Sequence, residues 1–108
     1  MSVRPVSPFN LLDRRIRELP GVRAGRSRWR GRVAYLLDER EVAHFHGSNE
    51  IDLRLTRDMI RERRAALRGD PRVGFRRGSS DWLTVKLRAP EDVEFVFDLF
   101  EELWRASQ

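Results

Sequence analysis

The residues best suited to chemistry stand close together in the middle of the chain. His44 and His46, the two histidines of a 108-residue sequence, flank Phe45, and Glu50 and Asp52 follow after a short loop. Imidazole changes charge near neutral pH, and a neighbouring carboxylate can orient it and fix its tautomer. The set therefore suits general acid-base catalysis, with Asp52 orienting His44. Two imidazole nitrogens and one carboxylate oxygen would also suit a divalent metal, provided that a third ligand converges at about 2 Å. Nothing in the sequence brings Glu50 or Asp52 to that point, so no metal is assigned and the cofactor stays unknown. A third reading gives the histidines no chemistry and makes them half-exposed sheet residues, paired with acids for register and solubility. His44, His46 and Asp52 are the candidate catalytic residues.

What positions them is a β-hairpin. Glu41 to His46 and Glu50 to Leu55 flank Gly47-Ser48-Asn49, a loop whose Gly and Asn tolerate the positive φ angles such turns need. With that turn, His46 lies across from Glu50, His44 from Asp52 and Val42 from Arg54, at Cβ separations of about 5 Å on one face. Ala43, Phe45, Ile51, Leu53 and Leu55 then form the opposite, apolar face. A later strand, Trp82 to Leu87, alternates in the same way. Leu83, Val85 and Leu87 face the core, and Trp82, Thr84 and Lys86 join the histidine face. Glu50, Arg54, Trp82 and Lys86 are accordingly candidate ligand-binding residues.

The remaining elements must cover the apolar face. Ser7-Pro8 caps and starts a helix carrying Phe9, Leu12, Ile16 and Leu19, which Pro20-Gly21 ends. Val33 to Leu37 reads as a strand, and Asp38-Glu39-Arg40 as a tight connection. Thr56 caps a helix over Arg57 to Leu67 with Met59 and Ile60 on its apolar stripe, stopped by Gly69-Asp70-Pro71. Val73 to Phe75 is a short strand. Pro90 begins the last helix, whose Val93, Val96, Phe97, Phe100, Leu103 and Trp104 share one face. The expected fold is α+β, a mostly antiparallel sheet of about four to five strands with helices packed on one face. Residues 1–108 read as one domain, with 1–7 as an extended N-terminal tail.

Composition narrows the function classes. Without cysteine there is neither a disulfide framework nor a thiolate nucleophile, and a zinc finger is excluded. No apolar run is long enough to span a membrane and no signal-peptide pattern opens the chain, so no membrane partner and a cytoplasmic location are expected. The net charge of +5 invites a nucleic-acid reading. Yet 21 of the 22 basic residues are arginine and most are interleaved with acids, the imprint of a GC-rich coding sequence, so nucleic acid is a partner not favoured. Only 23–32 is basic without a carboxylate. There Arg26, Arg28, Trp29 and Arg30 are candidate anion-binding residues, with Trp29 available for stacking. The alternative for this stretch is a solvated loop or a twisted edge strand. Gly78-Ser79-Ser80-Asp81 offers backbone amides to an anion, without a phosphate-loop lysine or a following helix. A protein-interaction domain without catalysis is the third function class, and the oligomeric state is not legible.

His44-Phe45-His46, Glu50-Ile51-Asp52-Leu53-Arg54-Leu55, Asp70-Pro71-Arg72-Val73, Ser80-Asp81-Trp82-Leu83-Thr84-Val85 and the acid-rich start of the last helix together resemble a known family. Over residues 20–106 the chain is similar to the small bacterial luciferase-domain proteins, a domain of unassigned function related to the light-emitting enzymes of fungi. The resemblance implies a compact α+β domain, and a small-molecule ligand that is bound or oxidised, as the fungal enzymes oxidise a hydroxypyrone with molecular oxygen. It also implies that His44 and His46 correspond to the family's strand histidines. Bacterial members commonly carry Leu-Pro where this chain has Leu55-Thr56.

Overall fold

The computed structural model describes residues 6–28, 31–76 and 80–108. Three helices and six strands follow one another as α1 (Pro8–Arg17), β1 (Val22–Arg26), β2 (Val33–Leu37), β3 (Arg40–Phe45), β4 (Glu50–Arg54), α2 (Arg57–Leu67), β5 (Val73–Phe75), β6 (Trp82–Lys86) and α3 (Pro90–Ala106). The strands form one antiparallel sheet in the order β1-β2-β3-β4-β6-β5. The fold is α+β as expected, with one strand more than the four to five expected. The additional strand is β1, made from the first half of the arginine-rich stretch. It pairs with β2 alone, at an edge where charged side chains can stay in water.

Each helix begins where its cap satisfies orphan backbone donors. Ser7 Oγ accepts from the Asn10 N–H at 3.1 Å, and Thr56 Oγ1 from the Met59 N–H at 3.4 Å. At α3 the buried Asp92 carboxylate takes the N–H groups of Arg88 and Ala89 at 2.8 and 2.9 Å. The helices bring Leu12, Ile16, Ile60, Val96 and Phe100 into one cluster with Tyr35, Phe45, Ile51, Leu53, Leu83 and Val85 of the sheet. Phe45 is central: its ring lies 4.3 Å from that of Phe9 and 6.0 Å from that of Tyr35. Arg15 pairs with Glu94 and sits 4.0 Å over the Phe97 ring, and Arg63 meets Glu102 at 2.6 Å, tying α1 and α2 to α3. Among the described residues no helix is long and apolar enough to cross a membrane.

Two local departures from regularity shape the site. Between β2 and β3 the register runs Ala34↔His44 and Tyr35↔Ala43, then Leu36↔Glu41, so β3 carries one extra residue in a β-bulge. Val42, which strict alternation puts with the histidines, instead joins the hydrophobic core. The other departure is Thr56, at φ 79° and ψ 151°. That conformation is costly for a side chain with a branched Cβ, and proline, locked near φ −65°, cannot adopt it at all.

Candidate functional site

The hairpin has the register that its turn dictates. His44 pairs with Asp52 and Phe45 with Ile51, and the His46 N–H donates to the Glu50 carbonyl at 2.9 Å. On the other side of β4, Asp52 pairs with Thr84, Arg54 with Trp82 and Glu50 with Lys86. Asp52 therefore sits in the middle strand of three, between His44 and Thr84, on the face away from the helices.

Its carboxylate has no exposure to solvent and is surrounded by donors. Thr84 Oγ1 donates to Oδ1 at 2.6 Å. Oδ2 receives Arg76 at 2.7 Å, His44 Nε2 at 3.0 Å and His46 Nε2. Burial by itself raises the pKa of this carboxyl, but hydrogen bonds from His44, Thr84 and His46 outweigh it and pull the value down to about 2. Asp52 is thus a fixed anion.

His44 is held at both ends. While Nε2 faces Asp52, Nδ1 lies 3.0 Å from Glu41 Oε2, and Ser27 Oγ donates to that same oxygen at 3.2 Å. Glu41 lies three residues before His44 and would occupy the opposite face of a regular strand. The bulge turns it back onto the histidine face, opposite Leu36 and beside Ala34, the partner of His44. A carboxylate at each nitrogen favours the doubly protonated ring, in which both nitrogens donate. The Asp52 hydrogen bond raises the His44 pKa, burial opposes it, and the charges of Asp52 and Glu41 add to the rise.

Trp82 closes one side, its ring 5.0 Å from that of His44, and the two imidazoles are 5.5 Å apart. Together His44, His46, Asp52, Arg76 and Trp82 line a cleft of about 280 Å³. The side chain of His46 is 26% exposed against 10% for His44, which makes His46 the more open of the two imidazoles that line the cleft.

His44, His46 and Asp52 also offer one ligand atom each within 4.8 Å of one another, so they are the residues that could hold a divalent cation. Such an ion would compete with the Arg76 guanidinium, which already lies on the same carboxylate oxygen. Like charges 3 to 4 Å apart in a partly buried site repel strongly, so an ion there requires Arg76 to swing away.

Of the residues singled out in the sequence, His44, His46, Asp52 and Trp82 come together in the cleft. Glu50, Arg54 and Lys86 do not line it. Arg54 binds Asp81 at 3.2 Å, and Glu50 is opposite Lys86 further along the sheet. Arg26 donates to the Gly31 carbonyl at 3.1 Å and Arg28 is exposed, whereas Trp29 and Arg30 lie outside the described residues. Gly78 and Ser79 also lie outside them; Ser80 Oγ accepts from the Trp82 N–H, and Asp81 from the Arg57 N–H. Sequence reasoning passed over Glu41 and Arg76. No spacing rule reveals the bulge that turns Glu41, and Arg76 follows a three-residue strand with no period to read.

Comparison with protein families matches residues 39–102 to the luciferase domain. This is narrower than the 20–106 expected, but it spans more than half of the chain and contains Glu41, His44, His46, Asp52, Arg76, Trp82 and Thr84. Neither curated proteins nor solved structures gave a match. The chain, with its histidine cleft inside the matched segment, belongs to the luciferase domain family.

Proposed function

We propose that the cleft binds a small, flat organic molecule with an acidic O–H or C–H group and prepares it for oxidation by taking that proton on His46. The observation that carries this reading is the Asp52 carboxylate, wholly buried yet ionised beneath two imidazoles at the bottom of a cleft. A core has no use for such an anion, because burying a charge costs several kcal/mol before its partners repay it. Perturbed carboxylates in clefts cluster at functional sites.

The roles divide by environment. His44, clamped between Glu41 and Asp52, holds a positive charge and steadies Asp52. His46, the more exposed ring, exchanges protons with the ligand while Asp52 orients it and stabilises the imidazolium that forms. Trp82 supplies a flat wall for stacking, and Arg76 a donor for the developing enolate or phenolate. Removing the proton puts electron density on the ligand, which is what reaction with molecular oxygen requires. Membership of the luciferase domain family agrees with oxidation as the outcome.

Calorimetric titration with a 4-hydroxy-2-pyrone, a phenol and their O-methyl ethers, alongside an oxygen electrode, tests this. The free acids should bind saturably and the ethers weakly. His46→Gln should abolish oxygen consumption, and Trp82→Ala should weaken binding. Equal binding of acid and ether, or His46→Gln binding and reacting like the parent protein, would overturn it.

A further inference from the structure

We propose that the ligand of this cleft carries an oxyanion, a carboxylate or a phosphate, and that this arm sits in an adjoining arginine-lined recess. The inference rests on the cleft being a small-molecule site and specifies the other end of the molecule.

The recess, of about 180 Å³, is lined by Arg57, Arg61, Arg64 and Arg76 together with Phe75 and Trp82. Arg76 and Trp82 line the histidine cleft as well, so the two hollows adjoin at these side chains. Arg57, Arg61 and Arg64 stand at i, i+4 and i+7 of α2, which puts three guanidinium groups on one helix face. None of the described residues lining the recess is acidic. Arg61 is neutralised by Asp58 and Arg76 by Asp52, but Arg57 and Arg64 have no carboxylate partner among the described residues. Arg64 instead lies 4.8 Å over the Phe75 ring, which directs its planar group along the wall. The Arg57 N–H at the start of α2 is already taken by the Asp81 carboxylate at 2.8 Å, so the field of the recess comes from the guanidinium groups.

The three α2 arginines, at exposed positions, border a hollow whose remaining wall is Ile60, Phe75, Trp82 and Ser80, and Arg76 reaches from it to the Asp52 carboxylate. That combination fits a flat body against Phe75 and Trp82 ending in a group that accepts from two guanidinium forks. The volume leaves room for the anionic group and a few further atoms.

The test uses the full chain, with benzoate, inorganic phosphate and neutral benzamide as probes followed through the Trp82 indole and Ser80 amide resonances. Benzoate, phosphate or both should shift these signals saturably, with affinity falling as sodium chloride rises, and benzamide should not. The anion that binds more tightly identifies the arm. Arg57→Gln and Arg64→Gln, both at exposed helix positions, should each weaken binding about tenfold, the loss of one charge-assisted hydrogen bond. His46→Gln should leave benzoate or phosphate binding intact while abolishing the hydroxypyrone response, so failure of the recess and failure of the cleft are separable. The inference is overturned if benzamide binds as well as benzoate, if neither anion moves the Trp82 signal, or if both arginine variants bind like the parent chain.

Discussion

Asp52→Asn tests whether a buried anion organises the cleft. The change keeps shape and retains an acceptor for Thr84, but places an amide donor or a neutral oxygen where two imidazoles and a guanidinium converge. The magnitude follows from linkage. A carboxyl at about 2 in the folded protein and 3.8 when unfolded contributes about 2.4 kcal/mol at neutral pH, since each unit is worth about 1.36 kcal/mol. Water reaching the cleft screens this, so about 1–2 kcal/mol is the working figure. For a domain of this size that is a fall in Tm of about 5–10 °C.

The pH dependence is more diagnostic than the size. Because the folded pKa of Asp52 is depressed, its contribution is present above pH 3.8 and is lost as pH falls toward 2, with about half gone by pH 3. His44 has the opposite sign. Its folded pKa is raised above 6.5, so its contribution is complete below that value and disappears as pH rises through the folded pKa. Urea denaturation of the parent and Asp52→Asn proteins from pH 3 to 9 should therefore give a stability difference that is largest between about pH 4 and 6 and shrinks on both sides. A difference that stayed constant across that range would refute the reasoning and reduce Asp52 to a packing residue.

Three further outcomes follow from the same geometry. Glu41→Gln should lower the His44 pKa, followed by the ring-proton shifts, without altering the fold, because one of the two carboxylates that keep the ring charged is removed. Glu39→Gly should stabilise the protein by about 0.5–1 kcal/mol in urea unfolding: Asp38 and Glu39 turn the β2–β3 hairpin with φ of 50° and 63°, and the ion pair given up, Arg23–Glu39, is exposed. Phe45→Ala, at a site with 1% exposure between Phe9 and Tyr35, should cost about 3–5 kcal/mol and leave little folded protein at 37 °C.

What the sequence made legible was whatever a strict period records. The turn at Gly47 to Asn49 set the register of β3 and β4, and that alone put His44 opposite Asp52. Alternation in β6 put Trp82 and Thr84 on the same face, and the spacing of apolar residues in α3 named its buried side. The period failed in two places. Arginine and glycine hid the alternation of Val22 and Ala24 in β1, since an edge strand can carry charge on both sides. One inserted residue in β3 exchanged the faces of Glu41 and Val42, sending a carboxylate to the site and a valine to the core. Glu50 looked equivalent to Asp52 by alternation, but it lies two pairs nearer the turn, beyond the convergence of His44 and Arg76 on Asp52.

The bulge matters more than its single residue suggests. Without it, His44 would face one carboxylate, and its Nδ1 would have to find another partner. With it, both ring nitrogens face carboxylates, which favours the protonated ring, and Asp52 stays ionised despite complete burial. A chain selected only for stability gains little from an ionic cluster over apolar residues of the same volume. Keeping Asp52, His44 and Glu41 in register through an irregular strand therefore makes sense as preparation of His46, the member of the cluster that a ligand in the cleft would meet first.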